Sequence, residues 1–140
     1  MEITFQSEGV EPPQIDETKL TTWIEQIANK HKKRAGEISF LFCSDEKIIK
    51  INKEYLHHNY YTDIITFDYS EHPIVSGDIL ISLDTVKTNS LEYNTTFLDE
   101  LHRVIIHGIL HLCELNDHED EDKVRMRKAE DEALQILALL

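Results

Sequence analysis

His107-Gly108-Ile109-Leu110-His111-Leu112-Cys113-Glu114-Leu115-Asn116-Asp117-His118 is the stretch on which the fold turns. Leu101-His102-Arg103-Val104-Ile105-Ile106 precedes it, and the whole reads as a buried helix with one Gly and no Pro. Histidines four residues apart on a helix lie on one face about a turn apart, so both imidazoles can reach a single cation. Two uncompensated imidazoles would be costly to bury in so apolar a helix, which favours a shared ligand. A third donor must come from beyond the helix. A short polar turn carries Asp117 and His118, and either would complete three protein ligands with a fourth position open to water or substrate.

Upstream, Thr96 and Asp99 have the spacing of a cap for this helix, and Asp84 is placed to cap a shorter one running through Val86 and Asn89 to about Tyr93. Residues 62–69 and 77–83 read as strands and, with the turn-rich residues 71–76 between them, as hairpin partners. Ser44-Asp45-Glu46 offers an N-cap and an acidic first turn to a helix with Ile48, Ile51 and Tyr55. Ile38, Phe40 and Phe42 alternate as a strand. Leu20, Trp23, Ile24, Ile27 and Ala28 recur at helical spacing from about Asp16 to Arg34, with Gly36 closing that helix, and Ile3 and Phe5 mark a short first strand. Downstream, acidic residues 119–122 begin a last helix with Met126, Ala129, Ala133, Ile136 and Leu137 on one side. The order β-α-β-α-β-β-α-α-α predicts one α+β domain over residues 1–140. About five helices would pack on a small mixed sheet of about four strands, with the metal site at the end of a buried helix.

The net charge of −13 argues against a broad electrostatic hold on nucleic acid, and DNA is not an expected partner. Lys30-His31-Lys32-Lys33-Arg34 is the one dense basic cluster, and it suits a helix C-terminus as well as it suits RNA. Cys43 and Cys113 read as reduced packing residues. The sequence has no apolar run of membrane-spanning length and no signal-peptide pattern, so a cytoplasmic protein with no membrane partner is expected.

Taken together, several segments carry a resemblance. Asn52-x-x-Tyr55, Tyr61-Thr62-Asp63-Ile64-Ile65-Thr66-Phe67, Gly77-Asp78-Ile79-Leu80-Ile81-Ser82, Asp84-Thr85-Val86, the histidine helix and the Met126 helix follow one another as in the YbeY endoribonucleases, the bacterial rRNA maturation factors. The chain resembles that family over most of its length, and its histidine segment is similar to the family pattern H-G-x-L-H-L-x-G-x-D-H. The resemblance implies a zinc-dependent, single-strand-specific endoribonuclease acting in 16S rRNA 3′-end maturation and ribosome quality control. Its partners would be single-stranded RNA or rRNA and the ribosome or ribosomal proteins. Ungapped matching puts Asp117 at the family's third ligand position and Met126 at its methionine, which implies one Zn2+ held by His107, His111 and Asp117. His118 stands one residue late.

The chain departs from the pattern at two further places. Glu114 stands where the family has glycine, so either Asn116 takes the left-handed position or the turn differs. Leu56 stands where the family has an arginine suited to meeting phosphate. His57, His58 or Arg103 are the candidate replacements, Arg103 being equally suited to an ion pair with Glu100 or Asp99. Thr62, Asp63 and Asp78 read as structural, the last as a partner of backbone N–H groups. Gly108 follows the first histidine where H-E-x-x-H proteases carry glutamate, and offers close approach of a neighbouring element instead. Two other readings remain: a metalloprotein ribosome-assembly factor without nuclease activity, which Leu56 favours, and a metallohydrolase of another class, such as a peptidase. The donor set also suits non-haem iron.

Overall fold

A computed structural model describes residues 2–56 and 62–140. The elements in chain order are β1 (Glu2–Ser7), α1 (Glu17–Lys30), β2 (Arg34–Cys43), α2 (Asp45–Ile51), β3 (Ile64–Asp68), β4 (Ile74–Ser82), α3 (Leu83–Glu92), α4 (Phe97–Leu112) and α5 (Asp120–Ala138). A π-helical turn, Asn52–Leu56, continues α2. The order and the α+β class match the sequence reading. The sheet order is β1-β2-β4-β3, with β1/β2 and β2/β4 parallel and β3/β4 antiparallel, so it is mixed and β3 forms one edge.

Strand side chains alternate between faces, and the two faces have different partners. Ile38, Phe40 and Phe42 of β2 and Val75, Ile79 and Ile81 of β4 point into the main core with α1, α4 and α5. Cys43, Ile65 and Leu80 point the other way and pack with Ile48 of α2. The alternation also fixes β3: Ile64 joins the α4 side, and Thr66 and Asp68 share its face. Trp23 of α1 is fully buried, and its indole N–H donates to the Ala133 carbonyl of α5 at 2.7 Å. Both cysteines are buried and free, with their thiols pushed up to about 11 chiefly by burial, which keeps them protonated.

Side-chain caps start α1, α2 and α4, and at two of them, Ser44 and Thr96, the sequence predicts the cap. Asp16 accepts from the Lys19 N–H, Ser44 from Lys47 and Thr96 from Asp99. Two expectations need correction. Helix α1 ends at Lys30, and Lys32, at φ 63°, takes the left-handed position that reverses the chain. The Lys33 N–H reaches the Ala28 carbonyl at 2.8 Å, so Gly36 does not close the helix and instead lies inside β2. Ser82, not Asp84, caps α3 by accepting from Thr85, while Asp84 accepts from the Asp45 N–H of α2.

Close approach shapes the face that α4 covers. A Cβ on Gly108 would stand 3.0 Å from Ile64 Cδ1 and 3.1 Å from Ile79, so the missing side chain lets α4 settle onto β3 and β4, as its position in the sequence implied. Gly77 of β4 is tighter, since a Cβ there would run into the backbone carbonyl oxygen of Phe67 on β3. Gly77→Ala is therefore expected to cost about 1–3 kcal/mol of unfolding free energy. Urea denaturation measures it, and a wild-type midpoint would contradict this packing.

Candidate metal centre

The site begins with α4. Its buried stripe includes Leu101, Val104, Ile105, Ile109 and Leu112, which pins the helix on the sheet and leaves His107 and His111 half-buried at its margin. Their rings lie one turn apart with centroids 4.6 Å from each other at 81°. The helix then ends in a Schellman turn. The Leu115 N–H bonds to the Leu110 carbonyl and the Glu114 N–H to the His111 carbonyl, both at 3.0 Å, while Leu115 packs against the core.

Glu114 itself occupies the left-handed position, at φ 75°, so Asn116 does not take it over. A residue with a Cβ pays for that conformation, and the side chain finds partners in return. Its carboxylate lies 2.6 Å from Lys33 Nζ and 3.6 Å from His72 Nε2, and the Lys33 bond and the His72 charge hold it below the usual range. The turn therefore survives the loss of glycine, and Asp117 swings back to the histidines.

Asp117 Oδ2 stands 3.5 Å from His107 Nε2 and 3.5 Å from His111 Nε2. One atom from each of the three side chains lies within 4.8 Å of the others, and among the described residues no other group of three His, Cys, Asp or Glu side chains does so. Two donors each about 2.0–2.1 Å from a tetrahedral ion stand roughly 3.3–3.5 Å apart, so the spacing fits a zinc-sized cation. The His118 side chain lines the same cavity but falls outside this group. The cavity has a volume of ≈ 450 Å³, and its wall includes Thr62, Asp63, Ile64, Thr66 and Asp68, the α4-facing side of β3 and the residues just before it.

Glu130 of α5 was not foreseen. It is 5% exposed, accepts from Arg103 Nη1 at 2.8 Å and lies 2.7 Å from His107 Nδ1. Burial alone would raise its carboxyl pKa, but the bonds from His107 and Arg103 win and hold it below the ordinary range. An ionised carboxylate only accepts, so the neutral His107 ring carries its proton on Nδ1 and leaves the Nε2 lone pair for a cation. For His107, burial pushes the pKa down, yet the Glu130 bond and the charges of Glu130, Asp117 and Asp63 outweigh it and the net shift is upward. His111 shifts down, through burial and then the neighbouring His107 charge. The sequence did carry a signal for Glu130: an acidic residue inside the buried stripe Met126, Ala129, Ala133, Leu137.

Arg103 pairs across helices with Glu130 and with Asp131, the latter at 2.7 Å, rather than with Glu100 or Asp99. His57 and His58 lie outside the described residues. Asp63 and Thr62 stand in the cavity wall, and burial raises the Asp63 carboxyl pKa. The Asp78 carboxylate accepts from the Ser39 hydroxyl on the neighbouring strand rather than from backbone N–H groups.

A mixed sheet with a helix that brings two histidines to a carboxylate beside the edge strand β3 makes this an α+β protein with a candidate metal site. The family described as Endoribonuclease YbeY matches residues 3–138. The chain is 54% identical to Endoribonuclease YbeY of Bacteroides fragilis over 134 residues, covering 96% of each chain. It is 52% identical to that of Bacteroides thetaiotaomicron, covering 96% of this chain and 98% of the relative. The solution structure of TM1509 from Thermotoga maritima superposes with a TM-score of 0.68 at 26% identity, covering 97% of this chain and 89% of that one. The chain belongs to the YbeY endoribonuclease family.

Removing the Glu130 carboxylate would leave His107 and the buried end of Arg103 without their shared acceptor. Glu130→Ala is expected to cost about 2–4 kcal/mol of metal-free stability. Urea unfolding in the presence of a chelator measures this, and a loss under about 0.5 kcal/mol would contradict the role given to Glu130.

Proposed function

We propose that residues 1–140 form one YbeY-like domain acting as a zinc-dependent, single-strand-specific endoribonuclease, with His107, His111 and Asp117 as the ligands of one Zn2+. The observation that carries this reading is the equal 3.5 Å spacing of both Nε2 atoms from Asp117 Oδ2, on the wall of an open cavity in a chain of the YbeY family. When bound, zinc supplies a water that ionises near neutral pH and a positive charge beside a phosphoryl oxygen.

The chain's own residues do the rest. Glu130 keeps His107 in one tautomer and one orientation. The helix offers no carboxylate next to His107, since Gly108 stands there, which disfavours a peptidase of the H-E-x-x-H kind. Asp63, half-buried in the cavity wall with a pKa raised by desolvation, is the group suited to take up and return a proton beside the scissile phosphate.

The biological role we propose is 16S rRNA 3′-end maturation and ribosome quality control in the cytoplasm. No helix among the described residues is long and apolar enough to cross a membrane. A net charge of −13 gives weak hold on free RNA, so the ribosome or a ribosomal protein would deliver the substrate. Leu56, in place of an arginine suited to phosphate, favours a second reading in which the metalloprotein assists ribosome assembly without cutting RNA.

Elemental analysis of protein purified without added metal, paired with cleavage of an end-labelled single-stranded RNA, separates the two. The nuclease reading expects near-stoichiometric zinc and cleavage, both lost in Asp117→Ala and both retained in His118→Ala. Bound zinc with no cleavage by the wild type would favour the assembly reading. Zinc loss in His118→Ala alone would overturn the ligand set.

A further inference from the structure

The cavity beside His107, His111 and Asp117 is not closed toward α5. Asp63, His107 and Asp117 also form one side of a second cavity of ≈ 280 Å³, whose far side includes Tyr93, Arg103 and Arg127. Those three, with Glu100, pass in turn into a third cavity of ≈ 590 Å³ that reaches Lys19 and His102. Shared walls make the three depressions one trough. It runs from the metal-type donors across α4 and α5, past the end of α3, to the first turns of α1.

Charge is layered along this trough. Glu100 and Glu130 are 7% and 5% exposed, so these two carboxylates lie at the floor, while Asp99 stands exposed at the rim. The guanidiniums stand above them, and the two differ in how far they are committed. Arg103 spends one nitrogen on Glu130 and another on Asp131, at 2.8 and 2.7 Å. The Arg127 side chain is 65% exposed, and its contact with Glu130 is a long 3.9 Å, outside hydrogen-bond range. Most of its five donors therefore face solvent inside the trough. Beside it Tyr93, at the C-terminal cap of α3, is 63% exposed. A free guanidinium and an exposed aromatic ring in one groove is the pairing that single-stranded nucleic acids use, a cation for the backbone and a ring for a base.

We propose that the trough holds the single-stranded RNA flanking the scissile phosphate, with Arg127 meeting a backbone phosphate and Tyr93 stacking a base. This rests on the endoribonuclease reading and adds to it a route for the strand away from the metal. Beyond its metal end, which β3 walls, the trough runs between helices, so it gives one flank of the substrate a defined path.

The test compares wild type, Arg127→Gln, Tyr93→Leu, Tyr93→Phe and Arg125→Gln, all zinc-loaded. Arg125 sits on the same helix outside the trough, paired with Asp122, so its substitution removes the same charge from elsewhere. Two readouts are taken: steady-state cleavage of a labelled single-stranded RNA, and anisotropy with a 2′-O-methyl oligonucleotide of the same sequence, which resists cleavage. Arg127→Gln and Tyr93→Leu should each raise KM, and the oligonucleotide Kd, about fivefold or more, with zinc content unchanged. Tyr93→Phe and Arg125→Gln should stay within about twofold of wild type, since the first keeps the ring and the second leaves the trough intact. The dependence of log Kd on log salt should flatten by about 0.7 for Arg127→Gln. If the wild type cuts RNA and neither trough variant alters KM or Kd, the route is wrong and the nuclease reading stands. If Arg125→Gln weakens binding as much as Arg127→Gln, general charge explains the effect and the route is overturned. If the wild type does not cut but binds the oligonucleotide through Tyr93 and Arg127, the nuclease reading fails while the RNA trough stands. If it neither cuts nor binds, both fail.

Discussion

A half-buried imidazole must find a partner for each of its nitrogens, and the way His107 does so organises the molecule. Its Nδ1 is held by Glu130 of α5 at 2.7 Å and its Nε2 faces Asp117 at 3.5 Å. The first contact ties α4 to α5 and fixes the ring. The second draws the chain after α4 back over the helix end. Around this residue the rest is support: α4 is laid on the sheet by its apolar stripe and by the absence of a side chain at Gly108, while Trp23 anchors α5 to α1. Without the bound carboxylate of Glu130 the ring would be free to turn, and the two imidazoles would not present their Nε2 atoms to one point.

What the sequence made legible was what is decided within a few residues. The caps at Ser44 and Thr96, the alternation of β2 and the stripes of α1 and α4 all depend on neighbours along the chain. The misread features depend on distant partners. Gly36 looked like a helix terminator, yet Lys32 takes the left-handed position, and Gly36 instead meets Ile74 and Ser76 across a register shift in the sheet. Asp84 looked like a cap until α2 supplied it with an N–H. For Arg103 the sequence left open a phosphate partner and an ion pair with Glu100 or Asp99, and α5 brings two other carboxylates to it. At Glu114 the sequence pointed to Asn116 in the left-handed position or to a different turn, and neither holds: Glu114 keeps that backbone itself, and the lysine and histidine that surround its carboxylate come from distant segments. Asp63 does stand in the bend before β3, as its structural reading implied; its place in the cavity wall beside α4 depends on how the sheet edge packs, which no local signal carries.

The electrostatics are consistent with an enzyme that does not seek RNA by itself. Much of the negative charge is spread over helix surfaces, and the basic cluster that ends α1 is partly spent on ion pairs, Lys30 with Glu132 and Lys33 with Glu114. Near the candidate metal centre the carboxylates are instead inside, holding a histidine and an arginine in place. A cation bound by His107, His111 and Asp117 would turn this locally balanced region into a place where a phosphate is welcome.

Anomalous diffraction at the zinc edge from crystals grown with zinc would test the account most directly. One peak is expected, bonded to His107 Nε2, His111 Nε2 and an Asp117 carboxylate oxygen, with Glu130 still on His107 Nδ1. A peak ligated by His118 in place of Asp117, or bound through His107 Nδ1, would contradict it.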